Sequence, residues 1–163
     1  MPSGALASGS PSAAWSLTFT CSVALPWPSP LTHGVLPRDV DALFEPHGIV
    51  HDEALAVAAE LGLPRWWLNE QASSYVAPGG DSAASRVFDH PGLRVFAASP
   101  EHLLAMKAFA ARPRDAEDIR QLIRVLDLHT ADDVLATVRE IFPDEEPPQR
   151  LGLLLEDIFT EKE

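Results

Sequence analysis

A chain of 163 residues, 46% of them apolar and with mean hydropathy at zero, can bury one proper core and has no room for a second domain. Its 24 acidic and 12 basic side chains give a net charge of -12, which argues against DNA as a partner and against a general RNA coat, since phosphate binding needs dense Lys and Arg. The lone cysteine, Cys21, excludes an intrachain disulfide and a cysteine-built zinc site and suits a reducing cytoplasm, and no apolar run is long enough to span a membrane.

Residues 1–37 hold no Asp, Glu, Lys or Arg, so every charged side chain lies in residues 38–163. The first segment mixes Ser and Pro with isolated Trp and shows neither helical nor strand periodicity. It reads as a disordered tail, a degenerate domain start, or a product of a shifted reading frame. WSLTFTCSVAL is apolar enough for a signal-peptide core, and a secreted chain anchored through Cys21 is an alternative, but the basic residues that precede such a core are missing. Moving the frame by one base leaves only the wobble positions free. Residues 21–30 (CSVALPWPSP) then permit LGGTAMALA, and LTHGVLP permits YARR and small residues before RDVDALFEP resumes. The gene's nucleotide sequence tests this.

From Arg38 the pattern is orderly. DVDALF alternates acid and apolar residues, predicting a strand with Val40 and Leu43 or Phe44 toward the core and Asp39 and Asp41 together on the other face. HDEALAVAAEL predicts a helix over 51–61 stopped by Gly62, and RWWLNEQASSYV a second, shorter helix before the APGGD turn. Residues 86–97 read as two strands around an Asp-His-Pro-Gly turn.

Ser99 and Pro100 form a helix start, a capping hydroxyl followed by proline at the first helical position. The helix EHLLAMKAFAAR is apolar on nearly every face, so it belongs in the interior, with Lys107 at its middle. A buried ammonium must find a partner or lose its proton. RDAEDIRQLIRVLDL predicts the next helix, whose Asp115 and Asp118 share a face and are natural partners for Lys107. Thr130 caps a helix through Phe142, and residues 148–160 form a last amphipathic one. The sum is an α+β domain with a small mixed sheet and a helical C-terminal half.

Carboxylates at i and i+2 on a strand can hold Mg²⁺ ions that bridge nucleotide phosphates, although most D-x-D triplets are solvated strand edges. Trp66, Trp67 and Tyr75 read as core aromatics rather than a base-stacking platform. The six histidines show no metal-ligand spacing, and no G-x-S-x-G elbow occurs.

Three blocks, DVDALFEP, ELGLPRWWLNEQASSYVAPGG and LRVFAASPEHLLAMKAFAARPRDAEDI, together resemble the AbiEii-like family of nucleotidyltransferase-fold toxins over about residues 38–142. The resemblance implies the minimal nucleotidyltransferase fold, with a Gly-Gly or Gly-Ser turn cradling a triphosphate on a helix N-terminus. It also implies Mg²⁺ at a D-x-D, here Asp39 and Asp41, with a third acid for which Asp89 is the best candidate, and it matches Lys107 and Asp118 to the family's late Lys and Asp. For Lys107, a charge neutralised in the core and a phosphate contact are both open. The implied activity is transfer of a nucleotidyl group from Mg-NTP to an RNA or protein hydroxyl, in a toxin balanced by an antitoxin protein. The chain departs from the pattern where the glycine pair belongs: Gly9-Ser10 is too remote from Asp39 and Gly34 stands alone. The N-terminal strand and helix of the fold are therefore expected to be missing or disordered, and catalysis to be impaired. A non-catalytic remnant or interaction module of the same fold is the alternative.

Overall fold

The structure is a computed structural model and describes residues 15–19, 40–71, 73–75, 77 and 79–160. It is a mixed α/β molecule. Five strands, β1 (Trp15–Phe19), β2 (Val40–Glu45), β3 (Leu68–Asn69), β4 (Ser85–His90) and β5 (Leu93–Ala97), lie in the order β3-β2-β1-β5-β4. The described α-helices are α1 (His47–Leu61), α2 (Pro100–Ala110), α3 (Ala116–Val125), α4 (Ala131–Ile141) and α5 (Gln149–Thr160). A small mixed sheet followed by a helical half is the arrangement the sequence predicts.

One expectation is corrected here. The strand held to be missing beside the aspartate-bearing one is present: β1 runs antiparallel to β2 and parallel to β5, in the middle of the sheet. WSLTF lacks polar alternation, but Trp, Thr and Phe favour extended backbone, and hydrogen-bonding partners on both edges stabilise a strand that periodicity does not reveal. The predicted N-terminal helix and the whole shifted-frame stretch fall outside the described residues.

A second correction concerns RWWLNEQASSYV, which forms no α-helix. Leu68 and Asn69 pair in parallel with Val40 and Asp41, and only Ser73–Tyr75 closes a 3₁₀ turn. The Trp67 indole N-H donates to the Ala54 carbonyl at 2.9 Å, and the Asn69 side-chain oxygen accepts from the Gln71 N-H at 3.0 Å. These bonds hold the segment in the extended and turn conformations that a helix would forfeit.

Helix α1 starts at His47, four residues before the predicted start, and ends at Gly62, whose φ of +66° supplies the left-handed cap. It covers one face of the sheet, where Val40, Ala42, Phe44, Ala54 and Leu68 form a small core with Leu93 and Val95 packed against it. The larger core belongs to the helices: Leu104, Ile119, Ile123, Val134, Val138, Leu151 and Leu155 are each under 2% exposed. Ser99 caps α2 through the His102 N-H, and α4 begins with a capping box between Thr130 and Asp133. Among the described residues no helix is long and apolar enough to cross a membrane.

Candidate functional site

Alternation along β2 sends Val40, Ala42 and Phe44 into the core beneath α1 and turns Asp41, Leu43 and Glu45 to the opposite face. Phe44, rather than Leu43, is thus the core residue at the end of the strand. Because Leu93 and Val95 pack on the α1 side, Arg94 and Phe96 of β5 share the face of Asp41. Arg86 and Asp89 of β4 pair with Phe96 and Arg94 and join them. Three carboxylates and two guanidinium groups therefore occupy one sheet face, away from the apolar packing.

The arrangement on that face separates the predicted acids. Asp39 lies outside the described residues. Asp41 is half-buried and in register with Asn69 of β3. Asp89 lies in the row Glu45, β1, Arg94, Asp89, so three strand spacings and four residues of rise stand between it and Asp41. At about 4.8 Å per strand and 3.4 Å per residue this is roughly 20 Å, too far to share a metal ion. Asp89 instead pairs with Arg86 at 2.7 Å. Residues i and i+3 ordinarily point to opposite sides of a strand, and the irregularity between Arg86 and Phe88 brings these two to one side.

The sheet end that carries Asp41 is also where β5 passes through Ala98 and Ser99 into α2. An acid that sequence reasoning missed stands there. Asp81, from the APGGD turn, accepts from the Ser99 N-H at 2.6 Å and from the Ala83 N-H at 3.1 Å. Beside it His102 is 3% exposed with its Nδ1 lacking a partner; burial lowers the pKa of its imidazole while the Asp81 charge opposes this. The sequence shows only the turn signature of APGGD, because the bond that ties Asp81 to the start of α2 comes from Ser99, 18 positions away.

Lys107 is buried on α2 with its ammonium 2.7 Å from Asp118 and 3.5 Å from Asp115, both carboxylates reached from the start of α3 and the turn before it. The predicted partnership is present, and it clamps α2 to α3.

A cleft of about 390 Å³ opens at the other side of β2, lined by Phe44, His47, His51, Arg65, Trp66 and Glu70 among others. One reading changes here. Trp66 is 57% exposed rather than core, while Trp67 and Tyr75 are half-buried against the two cores. His47 and His51 stand one helical turn apart, their rings stacked with centres at 6.2 Å and planes within 16°. Among the described residues no group of three His, Cys, Asp or Glu side chains is gathered so as to hold a metal ion.

In comparisons of the chain with family models, with curated proteins and with solved structures, none matches.

Proposed function

We propose that the chain is a nucleotidyltransferase-like protein that takes Mg-NTP at Asp39 and Asp41, within a minimal nucleotidyltransferase-like fold. The observation that carries this reading is the orientation of Asp41, whose carboxylate lies on the face opposite the α1 core. Carboxylate oxygens are the donors a hard cation prefers. When bound, Mg²⁺ neutralises phosphate charge during displacement at the α-phosphorus. The chain's own part is to hold the Asp41 carboxylate on β2, and to fix α2 at the same sheet end through the grip of Asp81 on Ser99. A net charge of -12 favours a protein hydroxyl over RNA as acceptor and fits a basic antitoxin as partner.

Two observations favour a second reading, a non-catalytic interaction module. No Gly-Gly or Gly-Ser pair precedes Asp39 at the distance a phosphate cradle needs, and the Lys107 ammonium is already engaged by two carboxylates. Thermal melting with Mg²⁺ and each NTP separates the readings. A ligand at one hundred times its Kd adds about 2.7 kcal/mol to the native state. The catalytic reading expects that rise, and expects Asp39→Asn with Asp41→Asn to remove it. A melting temperature indifferent to every NTP leaves the module.

A further inference from the structure

We infer that the cleft between α1 and β3 binds a small planar aromatic carboxylate, separately from Asp41, which points to the opposite sheet face. Its volume of about 390 Å³ lies within the range of small-molecule pockets, about 300–1,000 Å³. Phe44 and Leu68, both buried, form its floor. His47 and His51 line the helix side, at positions i and i+4 and so on one stripe of α1. The rings of Phe44, His47 and His51 run as one stack, with centroids 5.2 and 6.2 Å apart and planes within 8° and 16°. The Glu70 carboxylate accepts from Nδ1 of His47 at 2.7 Å. That bond fixes the middle ring and ties the helix side of the cleft to the β3 side.

The facing side is a turn. The Pro64 carbonyl accepts from the Trp67 N-H at 3.0 Å, which puts Arg65 and Trp66 at the two corners. Trp67 is held twice more, by its indole N-H on the Ala54 carbonyl and by its own carbonyl, which accepts from the Val40 N-H at 2.6 Å. Both corner side chains are exposed and line the cleft. A pinned turn thus keeps the Trp66 indole in water beside three stacked rings, although so large an apolar surface favours burial. Charge selects the ligand. Arg65 has no ion pair among the described residues, and a guanidinium takes a carboxylate through two parallel N-H bonds. Glu70 lines the same cleft, so the further negative charges of a phosphate would meet a carboxylate and find no second guanidinium. A flat ring with one carboxylate matches the ring faces and Arg65 together, and a triphosphate does not.

The test titrates the full-length chain with β-naphthoate, β-naphthol and β-naphthylmethylammonium, followed by NMR of the indole N-H signals. The Trp66 signal, assigned by its loss in Trp66→Leu, is expected to shift saturably with β-naphthoate. The neutral naphthol should bind about tenfold more weakly for want of the charge-assisted pair, and the ammonium more weakly still. Arg65→Met should lower naphthoate to the affinity of naphthol, and His51→Ala should weaken both. Arg65 and His51 are exposed, so their replacement leaves the fold intact, and circular dichroism verifies this for each variant. The absence of a saturable shift, an unchanged naphthoate affinity in Arg65→Met, or an ammonium that binds as tightly as the carboxylate overturns the proposal. Asp39→Asn with Asp41→Asn is expected to leave the naphthoate titration unaltered, so this site and the nucleotide site fail or succeed separately.

Discussion

The helical half and the sheet bury their side chains to very different extents. The seven largest fully buried side chains all belong to α2, α3, α4 and α5, whereas every residue of β4 is exposed and every residue of β5 only half-buried. Stability therefore concentrates in the bundle, and the sheet carries charged side chains on an accessible face with little apolar cover. In this molecule the element that holds the structure together is not the one that presents the candidate chemistry. The two are joined where β5 turns into α2, through Ser99, Asp81 and His102.

The sharpest way to break that comparison is to truncate one apolar side chain in each half to alanine. Leu104→Ala, at a wholly buried position of α2, should lose about 3–5 kcal/mol in urea unfolding, because the methyl groups removed leave a cavity that close-packed neighbours cannot fill. Val95→Ala, on half-buried β5, should lose roughly 1 kcal/mol. Equal losses would mean that the sheet is as much a stability centre as the bundle.

The next largest effect concerns the clamp between α2 and α3. Asp118→Ala takes from the buried Lys107 ammonium its nearer carboxylate, leaving Asp115 at 3.5 Å, and should cost about 3 kcal/mol, at the low end for a broken buried pair. Lys107→Met fills the same volume but leaves the Asp115 and Asp118 carboxylates, 13% and 23% exposed, without the ammonium between them, and should cost a similar amount. A nucleotide response that vanishes in Lys107→Met while the melting temperature holds would move Lys107 from clamp to phosphate contact.

The helical half was legible in the sequence for the same reason that it is stable. Ser99-Pro100, the Thr130 and Asp133 box and the amphipathic pattern of residues 148–160 are local signals, each readable within four or five positions. Even the Lys107 partnership could be read, since a cation in an all-apolar helix demands an acid and the next helix offers two on one face. The sheet resisted because its determinants are distant. Nothing within WSLTF announces a central strand, and Leu68-Asn69 is extended only because Val40 and Asp41 lie alongside. Of the candidate site, the facing of Asp41 was legible from alternation. The separation of Asp89 from it was not, because strand order and register are properties of the whole sheet.

A smaller effect tests the junction itself. Burial lowers the pKa of the His102 imidazole below the ordinary value near 6.5, so the folded state binds fewer protons than the unfolded chain. Its stability is therefore complete above that value and declines as the pH falls below it, until the lowered folded value is passed. Melting temperatures at pH 7.5 and 5.5 should differ more in the parent chain than in His102→Gln. An identical difference in both would remove His102 from the coupling between sheet and bundle.

The smallest expected effect lies in the bundle alone and calibrates the rest. The Thr130 hydroxyl accepts from the Asp133 N-H at 3.1 Å, and the Asp133 carboxylate accepts from the N-H groups of His129 and Thr130 at 3.0 and 2.9 Å. Thr130→Ala removes one of these partners and should cost about 1 kcal/mol in urea unfolding. The bonds to Asp133, that from the His129 N-H first among them, hold its carboxyl below the usual carboxylate range. Its contribution is present above the ordinary value near 3.9 and is lost as the pH falls through the lowered folded one. His102 acts at the junction from pH 6.5 downward and Asp133 only in strong acid. Acid unfolding of Asp133→Asn that follows the parent down to pH 4 and parts from it below would place the first acid-sensitive step at the junction and leave the bundle as the last element to open.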